Sequence, residues 1–335
     1  MADPAAPNEL GGEIACSAHL LEDDGALGPD VSSFTLSPPP PFRLDLAAWV
    51  LRRTKDNQVD RWDDQDRAYR RVLHTEAGGM AVAVRQIGPP ERPELRVDLR
   101  GPGAGLLATR QHVTVLIERS LGLGVDLGDF HGTVGDDPHL GPLAGRFLGM
   151  RPPRFHTWTE ALTAAVSCQQ LTLVVGVQLL NRLAQRYGTP GPDGGHAFPT
   201  SSQLAVVDPA ELRAMGYSTR KAEVIVDLAE RIATGDLELD RLERCSDDEV
   251  RGALCELHGI GPWSAEYVML RGMGRVHVFP GDDVGAQNKL QRLLGLPSRP
   301  SPTETRALLE RWAPWAGLVY FHLLLDGMAD AGLLS

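Results

Sequence analysis

Two glycines, Gly259 and Gly261, sit two residues apart between helix-forming runs, and Pro262 follows at once. Upstream, Ser246 with Glu249 reads as a capping box opening the run DDEVRGALCEL, which predicts a helix to residue 257. Glycine turns the backbone at positive φ without steric cost, and proline at the first helical position fixes the start of the next helix. The segment therefore predicts two helices joined by the tight turn His258-Gly259-Ile260-Gly261. A turn feeding a helix N-terminus aims free N–H groups at an anion, for which a DNA phosphate is the natural candidate. Taken alone, the turn reads first as an ordinary αα-hairpin whose glycines serve only as a C-cap.

The rest of the chain divides around this point. Residues 1–40 are rich in Pro, Gly, Ala and acids and run into Pro38-Pro39-Pro40-Pro41, so 1–41 reads as a disordered acidic tail with a stiff end. Beyond it the pattern predicts a helix over 45–53, strands over 69–74, 80–86 and 94–99, and an amphipathic helix over 105–121. These make a small α+β domain over 42–150. From 157 the chain reads as helix after helix: Thr157 with Glu160 opens a long run ending near 188, Asp208-Pro209 and Ser218 open the next two, and Thr303 opens the last. Residues 151–335 thus form an all-α domain, and the fold class is α+β.

Charge and cysteine usage bound the function. The net charge of −11 speaks against a nucleic-acid partner. Residues 1–40, however, hold seven acids and no Lys or Arg, and removing them leaves −4 over residues 41–335. Backbone amides can take phosphates without a large basic patch. The cysteines 16, 168, 245 and 255 form no C-x-x-C pair and no late cluster of four, which fits reduced thiols rather than zinc, a disulfide framework or an iron–sulfur centre. No apolar run reaches the length of a membrane span, and the N-terminus lacks a secretory pattern, so a cytoplasmic location is expected.

The hairpin LHGIGPWSA followed by RGMGRVHVFPGDD resembles the helix–hairpin–helix–GPD superfamily of base-excision DNA glycosylases. The nearest subfamily is similar to the bacterial 3-methyladenine DNA glycosylase II group. The likeness extends through AVSCQQLTL, AFPTSSQLAVVDPAELRAMGYSTRKAEVI and ERWAPW, over roughly residues 42–330. It implies an N-terminal domain like half of the TATA-binding-protein fold. It also implies double-stranded DNA with damaged bases as partner, a monomer, no cofactor, and action at the nucleoid.

Residue by residue, the resemblance gives Asp283 the catalytic role, 20 residues beyond Trp263, with Asp282 as an alternative. A carboxylate beside an oxocarbenium-like deoxyribose lowers the barrier electrostatically and can orient or deprotonate water. Asp283 is also well typed as an N-cap for VGAQNKL, a job open to Asp282 as well. Trp263 stands where lyase-type relatives carry a nucleophilic lysine, and indole cannot form a Schiff base, so simple hydrolysis without strand cleavage is implied. Lys289 is expected to pair with a carboxylate. Trp263 and Tyr267 are base-pocket candidates, since aromatic faces suit a flipped cationic base, though Trp263 also fits a packing role. Trp312, Trp315 and Tyr320 read first as core. The subfamily's further pocket tryptophan is matched by Leu324. Gln170 corresponds to the residue that wedges into the stack, or else belongs to a solvated polar pair inside a helix. Gly259, Ile260 and Gly261 are the DNA-contacting turn, where the backbones of Leu257 and Ile260 would hold a monovalent cation; no catalytic metal is expected.

Hydrolysis of alkylated bases is the function these residues imply. A non-catalytic hairpin DNA-binding protein, or a glycosylase for uracil, hypoxanthine or an oxidised purine, are the alternatives.

Overall fold

A computed structural model of the chain describes residues 20–334. Six antiparallel strands open the fold: β1 Leu20–Gly28, β2 Val31–Leu36, β3 Arg61–Asp63, β4 Ala68–Thr75, β5 Gly78–Gln86 and β6 Leu95–Arg100, in the order β1-β2-β6-β5-β4-β3. Helices α1 (Leu44–Arg52) and α2 (Leu107–Leu121) accompany this sheet. Alternation places Phe34 and Leu36, Met80 and Val82, and Val97 and Leu99 in one core with Leu51 of α1 and Leu116 and Ile117 of α2.

Two expectations fail here. Residues 20–36 are not a disordered tail: they form β1 and β2, with Phe34 paired to Val97 and Leu36 to Leu95. The apolar alternation of β2 sits inside an acidic, Pro-rich setting that masks it. The sheet also has six strands rather than three, because β3 is only three residues long and carries no readable period. The part of the proposed tail before residue 20, with Cys16, lies outside the described residues.

Thirteen further helices follow among the described residues: α3 Gly128–Val134, α4 Leu140–Arg146, α5 Trp158–Cys168, α6 Leu173–Tyr187, α7 Ser201–Ala205, α8 Pro209–Ala214, α9 Thr219–Thr234, α10 Leu239–Leu242, α11 Asp247–Glu256, α12 Pro262–Arg271, α13 Val284–Leu294, α14 Pro302–Leu309 and α15 Ala316–Asp330. They build two apolar cores. One gathers residues of α5, α6, α9, α11 and α12; the other gathers α3, α4 and α13–α15, together with Leu46, Trp49 and Val50 of α1. The N-terminal helix α1 thus faces both the sheet and the C-terminal helices.

Local chemistry explains most boundaries. Asp208, Ser218 and Ser246 cap α8, α9 and α11 with their side chains, and Ser246 and Glu249 close a full capping box. The last run starts at Ser301, not Thr303: Ser301 and Glu304 form the box, with Pro302 at the first helical position. The long run from 157 is not one helix. It breaks at Gln169-Gln170-Leu171, where Gln170 takes φ 54°, and Thr172 caps α6 by accepting from the Val175 amide. Thr157 caps α5, but Glu160 does not return to complete a box. Its carboxylate instead lies 2.5 Å from Arg71 of β4, which also pairs with Asp60 at 2.7 Å, while the Tyr69 hydroxyl donates to Asp60. This buried cluster ties the sheet to α5.

Candidate active site

The hairpin forms as the glycines require, with one difference. Gly259 has φ 82°, and a Cβ there would lie 2.5 Å from Val224 of α9. Gly261 is extended, at φ −102° and ψ 179°, with open space around it. Only the first glycine therefore makes the turn; the second leaves an unobstructed approach to the N-terminus of α12. The Ile260 side chain is buried, so only its backbone is available at the surface. Gln169, unremarked in the sequence, braces the turn: its side-chain amide donates to the Gly259 carbonyl and to Ser264 Oγ, both at 2.8 Å. Lys221 in turn donates to the carbonyls of Ser167 and Gln169 at the end of α5.

Beyond α12, a buried carboxylate shapes the Gly/Pro loop. Glu266 Oε2 accepts from the Gly281 amide at 2.8 Å, while Gln287 donates to the Gly281 carbonyl at 2.7 Å. Arg306 lies 3.2 Å from the other oxygen of Glu266. The loop is thereby held where it delivers Asp283 to the N-terminus of α13.

Asp283, not Asp282, is the N-cap of α13. Its Oδ1 accepts from the Ala286 amide at 2.9 Å. Its Oδ2 accepts from Trp263 Nε1 and from the Tyr320 hydroxyl, each at 3.2 Å. One carboxylate therefore closes the helix with one oxygen and meets two aromatic donors with the other. Burial, and then the adjacent Asp283 charge, push the Tyr320 hydroxyl well above its usual range, so Tyr320 stays a donor.

These groups line a cleft of about 910 Å³ between the two helical cores. Trp263 and Tyr267 stack one turn apart on α12, with ring centroids 5.2 Å apart and planes at 20°. Gln170 and Leu171 stand exposed at the mouth. Gln170 belongs to the loop between α5 and α6, so the reading of a polar pair within a helix is corrected. Tyr320 and Leu324 line the cleft, whereas Trp312 is buried in the C-terminal core with its Nε1 donating to Asp137. Lys289 also lines the cleft, but no carboxylate lies within 4.0 Å of its ammonium among the described residues, contrary to expectation. Burial lowers its pKa, against an upward pull from Asp283.

The cleft's charge differs from the chain's. Arg53, Arg220, Lys221, Arg271 and Lys289 line it, against the carboxylates Asp282 and Asp283. An acidic chain thus presents a locally basic cavity, which answers the objection raised by its net charge. Sequence reading missed Arg53, which reaches the cleft from the end of α1, and Arg271, two turns beyond Trp263 on α12. Neither position carried a local signal. Among the described residues no His, Cys, Asp and Glu cluster suited to a metal is found, and no helix is long and apolar enough to cross a membrane. Cys168, Cys245 and Cys255 are free thiols.

A hairpin, a Gly/Pro loop and an aspartate at the mouth of a basic aromatic cleft define a class. Residues 163–314 match the description "HhH-GPD superfamily base excision DNA repair protein", and over this region the chain resembles that superfamily. Among particular proteins, it is 31% identical to the Escherichia coli "DNA-3-methyladenine glycosylase 2" over 189 residues, 55% of this chain and 63% of the relative. It is 32% identical to the Mycobacterium tuberculosis "Probable bifunctional transcriptional activator/DNA repair enzyme AlkA" over 266 residues, 77% of this chain and 50% of that one. The chain thus spans about half to two thirds of the length of these curated relatives. The solved 3-methyladenine DNA-glycosylase from Archaeoglobus fulgidus superposes with a TM-score of 0.75 at 24% identity, covering 87% of this chain and 97% of that one, a likeness of fold.

Proposed function

We propose that the chain is a monofunctional DNA glycosylase that hydrolyses the N-glycosidic bond of alkylated bases in double-stranded DNA. The observation that carries this reading is Asp283 Oδ2, held in a basic cleft beside the stacked pair Trp263 and Tyr267. In this reading the hairpin amides around Gly259 and Gly261 grip a phosphate, with a monovalent cation on the Leu257 and Ile260 carbonyls. Gln170 fills the gap left by the flipped nucleotide. The base enters against Trp263 and Tyr267, which places its sugar near Asp283. As the glycosidic bond stretches, positive charge grows on the deoxyribose and the carboxylate stabilises it. Asp283 then receives a proton from the attacking water.

Trp263 offers no amine, so the reaction ends at the abasic site without strand cleavage. The chain works as a monomer without cofactor in the cytoplasm, on nucleoid DNA. Its N-terminal unit, up to about residue 150, corresponds to half of the TATA-binding-protein fold. Its helical unit follows over 151–335.

The test is incubation with duplexes carrying single alkylated bases, followed by alkaline cleavage and by chromatography of released bases. Released base with alkali-dependent strand breaks is the expected outcome. DNA binding without any released base would establish a non-catalytic binding protein instead.

A further inference from the structure

Side chains on α12 at four-residue spacing descend into the cleft: Trp263 beside Asp283, then Tyr267, then Arg271. Opposite the lower two stands Arg53, in the left-handed region at φ 62° just past α1. Arg53 is 4% exposed and Arg271 is 1% exposed, yet neither has a carboxylate within 4.0 Å among the described residues. Arg53 Nη1 donates to the Tyr267 hydroxyl at 3.1 Å, and Arg271 Nη2 donates to the Val50 carbonyl at 3.0 Å. Arg53 Nη2 and Arg271 Nη1 make no hydrogen bond among the described residues. Both guanidiniums also lie over the Phe155 ring, at 5.4 and 5.0 Å from its centroid. Buried charges are normally paired. Two unpaired guanidiniums lining a cavity mark a place where a ligand supplies the missing acceptors. Arg53 Nη1 also reaches Cys168 Sγ at 3.9 Å, a weak acceptor, so the strongest polar groups at the deep end of the cleft are the two guanidinium donors.

Resting on the proposed glycosylase reading, we propose that Arg53 and Arg271 form a specificity-determining floor that selects flipped bases presenting a carbonyl oxygen over bases presenting an amino group. A 6-oxo purine, such as hypoxanthine or 7-methylguanine, places O6 where the guanidiniums donate. An adenine-type base places an N–H donor there, against donors that already lack acceptors. A neutral base such as hypoxanthine gains more. When its C1′–N9 bond breaks, the electron pair goes to N9 and spreads to O6, where the guanidiniums stabilise the anion. Water oxygen bonds to C1′, its proton passes through Asp283 to solvent, and the departing base takes a proton from water. A cationic 3-methyladenine leaves as a neutral molecule and needs no such help.

Two measurements decide this. The first compares single-turnover release of hypoxanthine and of 3-methyladenine by the native chain and by Arg53→Gln. The ratio of the two rates is expected to fall about tenfold or more in the variant, the usual worth of a hydrogen bond to a charged group. An unchanged ratio, with both rates lowered together, overturns the proposal and assigns Arg53 a structural role. The second needs no variant: quenching of tryptophan fluorescence in the native protein is titrated with free hypoxanthine and with free adenine. Tighter binding of hypoxanthine is expected, and equal or reversed affinities overturn the proposal even if Arg53→Gln does not fold. Release of 3-methyladenine with no release of hypoxanthine would refute this inference while leaving the glycosylase reading intact; release of neither base would refute both.

Discussion

Substituting Gly259 with alanine probes the hairpin at its most constrained point. The residue sits at φ 82°, and an added Cβ would come within 2.5 Å of Val224 Cγ2 and 2.9 Å of Cγ1. Left-handed backbone costs an L-residue about 1–2 kcal/mol. Crowding a packed site costs a further ~1–3 kcal/mol, because Val224 is buried in the helical core and has little room to withdraw. The single variant should therefore lose roughly 2–5 kcal/mol in denaturant unfolding, and it should bind DNA more weakly with a shallower salt dependence. The two costs separate in a double-mutant cycle. In a Val224→Ala background the glycine substitution should cost only the backbone term, leaving a coupling energy of about 1–3 kcal/mol. Equal costs in both backgrounds would show that the turn moves to relieve the contact, and the rigid-hairpin argument would be wrong.

Other outcomes follow from the same geometry. Gln169→Ala frees the Gly259 carbonyl and Ser264, and should weaken DNA binding measured by fluorescence anisotropy while barely changing the cleavage rate of saturated complex. Glu266→Ala leaves Arg306 and the Gly281 amide without their buried acceptor; it should lower stability by about 3 kcal/mol and slow excision, read in parallel melting and single-turnover assays. His322 is buried, with its pKa lowered to about 4 by loss of solvation, and burial lowers His156 likewise. A lowered histidine pKa means that the unfolded chain binds the proton first. Stability is therefore full above pH 6.5 and is lost as pH falls toward 4, by about 3 kcal/mol for His322, and His322→Gln should flatten that limb in unfolding measured across pH. Borohydride treatment of the reacting native complex should trap no covalent adduct, a test that covers Lys289 as well as position 263.

Much of the site was legible because it is local. The Gly-x-Gly turn, the proline start of α12, the serine and aspartate caps, and the spacing to Asp283 each depend on a few neighbouring residues. What escaped depends on tertiary neighbours. Glu160 looks like a capping-box partner until Arg71, far away in sequence, takes its carboxylate. Gln169 and Gln170 look like mid-helix residues, since no glycine or proline marks the break; the one clue was Thr172, a competent cap four residues after Cys168. Arg53 and Arg271 could not be read as cleft residues, because only folding brings the end of α1 against α12. Strand β2 was hidden by its acidic, Pro-rich surroundings, although Phe34 and Leu36 alternate as a half-buried strand should.

Single-turnover excision by Asp283→Asn tests the central claim most directly. The substitution keeps an acceptor for the Ala286 amide and removes the charge that the proposed reading sets beside the sugar. A unit charge about 4 Å from a developing cation is worth ~4 kcal/mol at an effective dielectric of 20, so the rate should fall about a thousandfold while damaged DNA is still bound. A rate within about tenfold of the native enzyme, on DNA bound as tightly, would contradict the account.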